Sequence, residues 1–204
     1  MKEREGEVKD LVEKLQRGEL TPEEAKKLLK ERGLMGQESW KWRVSYLMLW
    51  VAYFILCILP FPLKGQLQRI SFPLVVVYGS LIPSVIGIFL TLWATYSHRK
   101  KGGLKGSGDT IILHRDGPYG FMRHPGIFCW IIWFIFIPII ISNHFPFTFL
   151  SIIGIILAVG YHYYMAYIEE KTNLLKWGNQ YGQYMKQVPR FNFIKGLWNL
   201  KKRR

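Results

Sequence analysis

Acidic side chains are scarce over most of this chain. Of 14 Asp and Glu among 204 residues, 10 precede Lys41, which leaves Asp109, Asp116, Glu169 and Glu170 against 19 Lys and Arg in the remainder. The segment through Trp40 is nearly balanced, with 9 bases and 10 acids, so the formal charge of +14 belongs to the rest. Cysteine is rare too. Cys57 and Cys129 sit in apolar runs, where a thiol behaves as a small hydrophobe. Two isolated cysteines supply neither a disulfide framework nor a zinc site, and no bound metal is expected. No apolar h-region precedes Lys41, so no secretory signal peptide is expected there. Charge of either sign is missing from residues 44–63, from 70–97 and from the 45 residues 124–168. A spanning helix needs about 20 mostly apolar residues. The near-zero mean hydropathy therefore averages a charged part with a membrane part, and excludes neither. A soluble enzyme, a secreted disulfide scaffold and a disordered chain are excluded.

The N-terminal segment reads as two short helices. Val8, Leu11, Val12 and Leu15 share one face, and Gly18 ends the first helix. Thr21, Pro22 and Glu24 form a capping box with proline at the first helical position, and Gly33 stops the second helix. This hairpin has too little core to stand alone. Two roles are open to it: oligomerisation into a homo-oligomer, or packing on its own membrane domain.

Polar breaks divide the apolar part into four spans, roughly 44–63, 73–97 with Pro83 as a kink, and two more separated at Asn143-His144-Phe145-Pro146. Lys and Arg number 11 through Arg43, 6 in residues 98–123 and 9 after Glu169, against 2 in the loop of Lys64 and Arg69 and none in the second turn. The positive-inside rule then places both termini and the central loop in the cytoplasm. Leu174, Trp177, Tyr181, Tyr184 and Val188 repeat at 3-4-3-4 spacing, the stripe of a surface amphipathic helix. The terminal Lys201-Lys202-Arg203-Arg204 run is explained by topology and anionic lipid heads rather than by nucleic acid. The expected fold is all-α: a polytopic, multi-pass membrane protein of four transmembrane helices in two hairpins, with a cytoplasmic amphipathic C-terminal helix. Its parts are residues 1–40, the helical hairpin; 41–97, the first transmembrane hairpin; and 98–204, the core of the site.

Chemistry is expected where the few charged groups converge. The loop ends in Asp116-Gly117-Pro118-Tyr119-Gly120-Phe121-Met122-Arg123-His124-Pro125-Gly126, and the next charges are Glu169-Glu170. An antiparallel hairpin returns to the side it left, so the two carboxylates come back near Arg123 and His124. Ionisable groups at membrane depth mark functional sites. Arg123 is expected to hold one glutamate by a charge-assisted bond, with Tyr161, His162, Tyr163, Tyr164 and Tyr167 joining the same pocket.

Gly117-Pro118-Tyr119, Arg123-His124-Pro125, Glu169-Glu170, Leu174, Gly178, Tyr181, Tyr184 and Val188-Pro189-Arg190-Phe191 resemble the isoprenylcysteine carboxyl methyltransferase family and its phospholipid methyltransferase relatives, over about residues 109–191. The resemblance implies an S-adenosyl-L-methionine-dependent methyltransferase whose lipophilic acceptor arrives from the bilayer. It places cofactor contacts on Ile111, Ile112, Leu113, His114, Tyr119, His124, Pro125, Gly126, Ile127 and Glu169, with Arg123 and Glu170 organising the site. Met165 stands where prenylcysteine methyltransferases have a substrate-binding Arg, and Ile127 where an aromatic is usual. The acceptor is therefore open among a lipid amine, a small thiol and an isoprenoid acid. Two other readings remain: a membrane sterol-type NADPH-dependent reductase, and a non-enzymatic membrane interaction protein.

Overall fold

The computed structural model describes residues 2–33, 40–63, 66–100 and 113–203. Helices joined by turns and irregular segments make them up, and there is no strand among the described residues. In chain order the helices are α1 (Lys2–Gln16), α2 (Pro22–Glu31), α3 (Trp40–Ile58), α4 (Leu74–Gly79), α5 (Leu81–Lys100), α6 (Pro125–Ile140), α7 (Phe149–Gln187) and α8 (Phe193–Arg203), with a 3-10 turn at Gly117–Gly120 before α6.

Local chemistry explains most boundaries. The capping box before α2 is formed: Glu24 N–H donates to Thr21 Oγ1 at 3.3 Å, and Thr21 N–H donates to Glu24 Oε2 at 2.8 Å. The helix expected over 73–97 is instead interrupted at Ser80. Pro83 has no N–H, and its ring crowds the carbonyl four residues back, at Gly79, where α4 ends. The stripe expected to form a separate surface helix continues α7, which is broken at Gly178 with φ 44° and ψ −120°. A side chain rarely tolerates that backbone, so glycine is required there.

Three helical segments are long and apolar enough to cross a membrane: Trp40–Ile58, Leu74–Lys100 and Phe149–Gln187. Pro125–Ile140 is shorter, about 24 Å at the α-helical rise. Leu47, Met48, Val75, Phe89 and Ile156 are more than half exposed on these helices, as expected of side chains that face lipid.

The chain divides into two compact units, one of Met1–Ser39, Leu92–Pro125 and Ala166–Arg204, the other of Trp40–Thr91 and Gly126–Met165. In the second unit, Leu49, Tyr53 and Cys57 of α3 form one buried cluster with Phe134 of α6 and Ala158 of α7. Pro138 lies inside α6 and deprives the Phe134 carbonyl of its usual i+4 N–H donor. The Tyr53 hydroxyl takes that place, donating to Phe134 O at 3.0 Å. An apolar surrounding leaves a bare carbonyl no other donor. Tyr53→Phe is therefore expected to lower stability by about 1–3 kcal/mol, measured by unfolding in mild detergent, and to cost less when Pro138→Ala restores the N–H. An unchanged unfolding midpoint would contradict this role of the hydroxyl.

Candidate functional site

The site lies in the first unit, on the segment leading into α6 and the part of α7 beyond its apolar run. Asp116 is extended, Gly117 begins the 3-10 turn with Pro118 next, and Met122 N–H donates back to Pro118 O at 3.0 Å. This turn delivers Arg123 and His124 immediately before Pro125, the first residue of α6. Arg123 N–H donates to Pro189 O at 3.1 Å, which draws the segment after α7 against the turn. Its guanidinium also donates to Met185 O at 2.8 Å and Val188 O at 2.7 Å. Those are carbonyls of the helix end, which lack intrahelical donors and favour a cation.

Glu170 is the hub. Its side chain is 3% exposed. Oε1 accepts from Arg123 Nε at 2.9 Å, from Arg190 Nε at 3.0 Å and from His124 Nε2 at 3.2 Å. Arg190 closes a second, short bond to Oε2. His124 is buried as well, and its other nitrogen, Nδ1, is 3.2 Å from Glu169 Oε2. Each imidazole nitrogen thus faces a carboxylate, an arrangement in which both act as donors only when the ring is protonated. Burial disfavours the charge on His124, but Glu169 and Glu170 outweigh it and raise its pKa to about 9. Burial alone would push Glu170 up; hydrogen bonds from His124 and Arg190 and the charge of Arg123 reverse this and bring it to about 2. Both groups are charged at neutral pH.

Glu169 is less enclosed, at 22% side-chain exposure, and lines a small cavity of about 40 Å³ that is partly open to solvent. Tyr119, Trp177, Tyr181 and Tyr184 supply its aromatic wall, with Leu113, His98, His114, Asn173 and Arg123 completing the lining. Burial, then the charge of Glu169, pushes Tyr119 up to about 12, so it remains a neutral phenol. The Tyr184 hydroxyl donates to Tyr119 O at 2.7 Å and ties the 3-10 turn to α7. Behind this wall is the N-terminal hairpin. Val8, Leu11, Ala25 and Leu29 pack with Trp177, Tyr181, Tyr184 and Val188 in one buried cluster. The apolar stripe of α7 is therefore covered by this chain's own hairpin.

The expected residues divide by position. Leu113, His114, Tyr119 and Glu169 line the cavity, as does Arg123. His124 stands behind Glu169, and Glu170 behind His124. Pro125, Gly126 and Ile127 form the first turn of α6 and are not among the lining residues. Gly126 and Ile127 belong to the other unit. Ile111, Ile112 and Asp109 lie outside the described residues. None of Tyr161, His162, Tyr163, Tyr164 and Tyr167 lines the cavity. His162 is instead enclosed by Phe134, Tyr161 and Tyr46 in the second unit, its Nδ1 bonded to Ala158 O at 2.8 Å. Sequence reasoning gave no role to Asn173, His98 or Arg190. Asn173 follows Glu169 by four residues and precedes Trp177 by four, a helical register that points it to the same face. Among the described residues, no three His, Cys, Asp or Glu side chains converge as a metal site.

No family model, curated protein or solved structure matches the chain.

The raised pKa of His124 makes stability depend on pH. The imidazolium binds its proton more tightly when folded, so its contribution is complete below the ordinary value of 6.5 and is lost as pH rises through about 9. Thermal unfolding in detergent is expected to show a midpoint that falls between neutral pH and pH values above that point, with a flatter profile in His124→Asn. Parallel profiles for the two proteins would show that His124 is not charged in the folded state.

Proposed function

We propose that this chain is an integral membrane methyltransferase that uses S-adenosyl-L-methionine on a lipophilic acceptor, in the manner of the isoprenylcysteine carboxyl methyltransferase family it resembles. The observation that carries the reading is Glu169: a carboxylate facing an aromatic-walled cavity, backed by the bonded His124 and Glu170. The donor set fits the cofactor's chemistry. S-adenosyl-L-methionine carries a sulfonium and an ammonium; Glu169 offers a negative charge, and Tyr119, Trp177 and Tyr181 offer ring faces that attract cations.

When bound, the cofactor supplies an activated methyl group, which the acceptor's lone pair takes as the carbon–sulfur bond breaks to leave a neutral thioether. The chain's own task is placement, which can supply much of such a rate. Glu169 holds the positive end, while Tyr119, Trp177 and Tyr184 confine the ligand and reduce access of water. Arg123 and Glu170 act from behind, keeping Glu169 at the cavity and the 3-10 turn against α7. Met165 offers no cation for an acceptor carboxylate, which favours a lipid amine or thiol over a prenylcysteine acid.

The same reading makes α6 the fourth crossing. Its helix is short for a bilayer core of about 30 Å, and Ile141 with the following turn extends its reach. Four crossings place 26 of 28 Lys and Arg on the cytoplasmic side with both termini.

Calorimetry of the detergent-purified protein tests the proposal. S-adenosylhomocysteine is expected to bind, and Glu169→Gln to weaken it by about tenfold or more, the worth of one charged hydrogen bond. Binding of NADPH in place of S-adenosylhomocysteine would support a reductase; binding of neither would refute the cofactor assignment.

A further inference from the structure

The C-terminal helix α8 has two unlike faces. One is fixed to the protein. Asn192 caps it, its Oδ1 accepting from Lys195 N–H at 2.9 Å. Gly196 is buried against the turn that precedes α6: a β-carbon at this position would overlap the Phe121 carbonyl. Asn199 Nδ2 donates to Gln187 O at 2.9 Å. These contacts set the rotation of the helix about its own axis.

The opposite face is exposed. Ile194, Leu197 and Trp198, at i, i+3 and i+4, are 68%, 48% and 61% exposed, and Phe193 beside them is 44% exposed. Lys201 lies on the same face one turn on, and Lys202 places its Nζ 5.3 Å from the Trp198 ring centroid. Large apolar side chains flanked by lysines, with a tryptophan among them, are the composition of helices that lie in a bilayer interface. At 11 residues, about 16 Å at the α-helical rise, α8 is far too short to cross.

We propose that α8 docks on the anionic surface of the membrane in which the chain's long apolar helices are embedded. Apolar area alone does not name the occupant; charge does. From Lys171 onward the chain has 9 basic residues and no acid, so a second copy would bring like charge against like. An anionic leaflet complements the lysines and accepts Ile194, Leu197 and Trp198 at its acyl boundary. Topogenesis accounts for basic residues near a span, but gives no reason for Ile194, Leu197 and Trp198 to point away from the protein.

The test does not depend on any enzymatic activity. In the full-length protein with Cys57 and Cys129 replaced by Ala, a nitroxide is placed at Leu197→Cys. The protein is then reconstituted into nanodiscs of phosphatidylcholine alone, or of equal parts phosphatidylcholine and phosphatidylglycerol. The ratio of oxygen to nickel-chelate accessibility is expected to be several-fold higher in the anionic discs. Lys195→Glu, Lys201→Glu and Lys202→Glu together should remove that difference. Equal accessibility in both discs, or spin–spin broadening from a second copy at this face, would overturn the proposal.

Discussion

One buried carboxylate organises the site. Glu170 is bonded by Arg123, Arg190 and His124, which come from the segment before α6 and the segment after α7. Three separate stretches of chain thus meet on one pair of oxygen atoms. Removing one partner of such a buried group leaves the others as uncompensated charges, at a cost of about 3–5 kcal/mol. The arrangement is over-determined: Arg123 also bonds the carbonyls of Met185 and Val188, so the end of α7 is fixed to the same guanidinium. Glu169, next in sequence, turns toward the cavity as a consequence. The adjacent acids divide the work, one holding the structure and the other presenting charge.

The aromatic wall depends on a second constraint. Gly178 breaks α7 with a backbone few other residues adopt, and the stripe of Trp177, Tyr181 and Tyr184 passes across this break. One side of that stripe lines the cavity while the other packs on Leu11, Ala25 and Leu29 of the hairpin. The small N-terminal hairpin, too poor in apolar residues to fold alone, gains its core from the wall and supports it in return. Cavity-lining aromatics held from behind have less freedom left to lose, which is the physical basis of preorganisation.

The parts written in local sequence were the readable ones. Thr21 with Glu24 announces a capping box, and the charge-free runs announce helices, because each signal rests on neighbours a few residues away. The meeting of Arg123 and His124 with the glutamate pair was readable from the return of a hairpin, although nothing local says which glutamate Arg123 holds. Arg190 was not, because its partner lies 20 residues earlier and the intervening break at Gly178 upsets helical register. The partner of the α7 stripe was also hidden: a 3-4-3-4 pattern specifies a face to be covered, but not whether lipid or hairpin covers it. The break between α4 and α5 follows from Pro83, four residues past the end of α4, yet it is displaced from the proline itself. α8 is a further case, its apolar positions interleaved with bases that read as a topological tail.

The proposed chemistry is that the cavity beside Glu169 holds a methyl donor. The most direct measurement is transfer of a radiolabelled methyl group from S-adenosyl-L-methionine into a total lipid extract by the purified protein. Label that partitions into the organic phase, and that Glu169→Gln abolishes while the protein stays folded, is the predicted result. Folded wild-type protein that leaves the organic phase unlabelled would contradict the account.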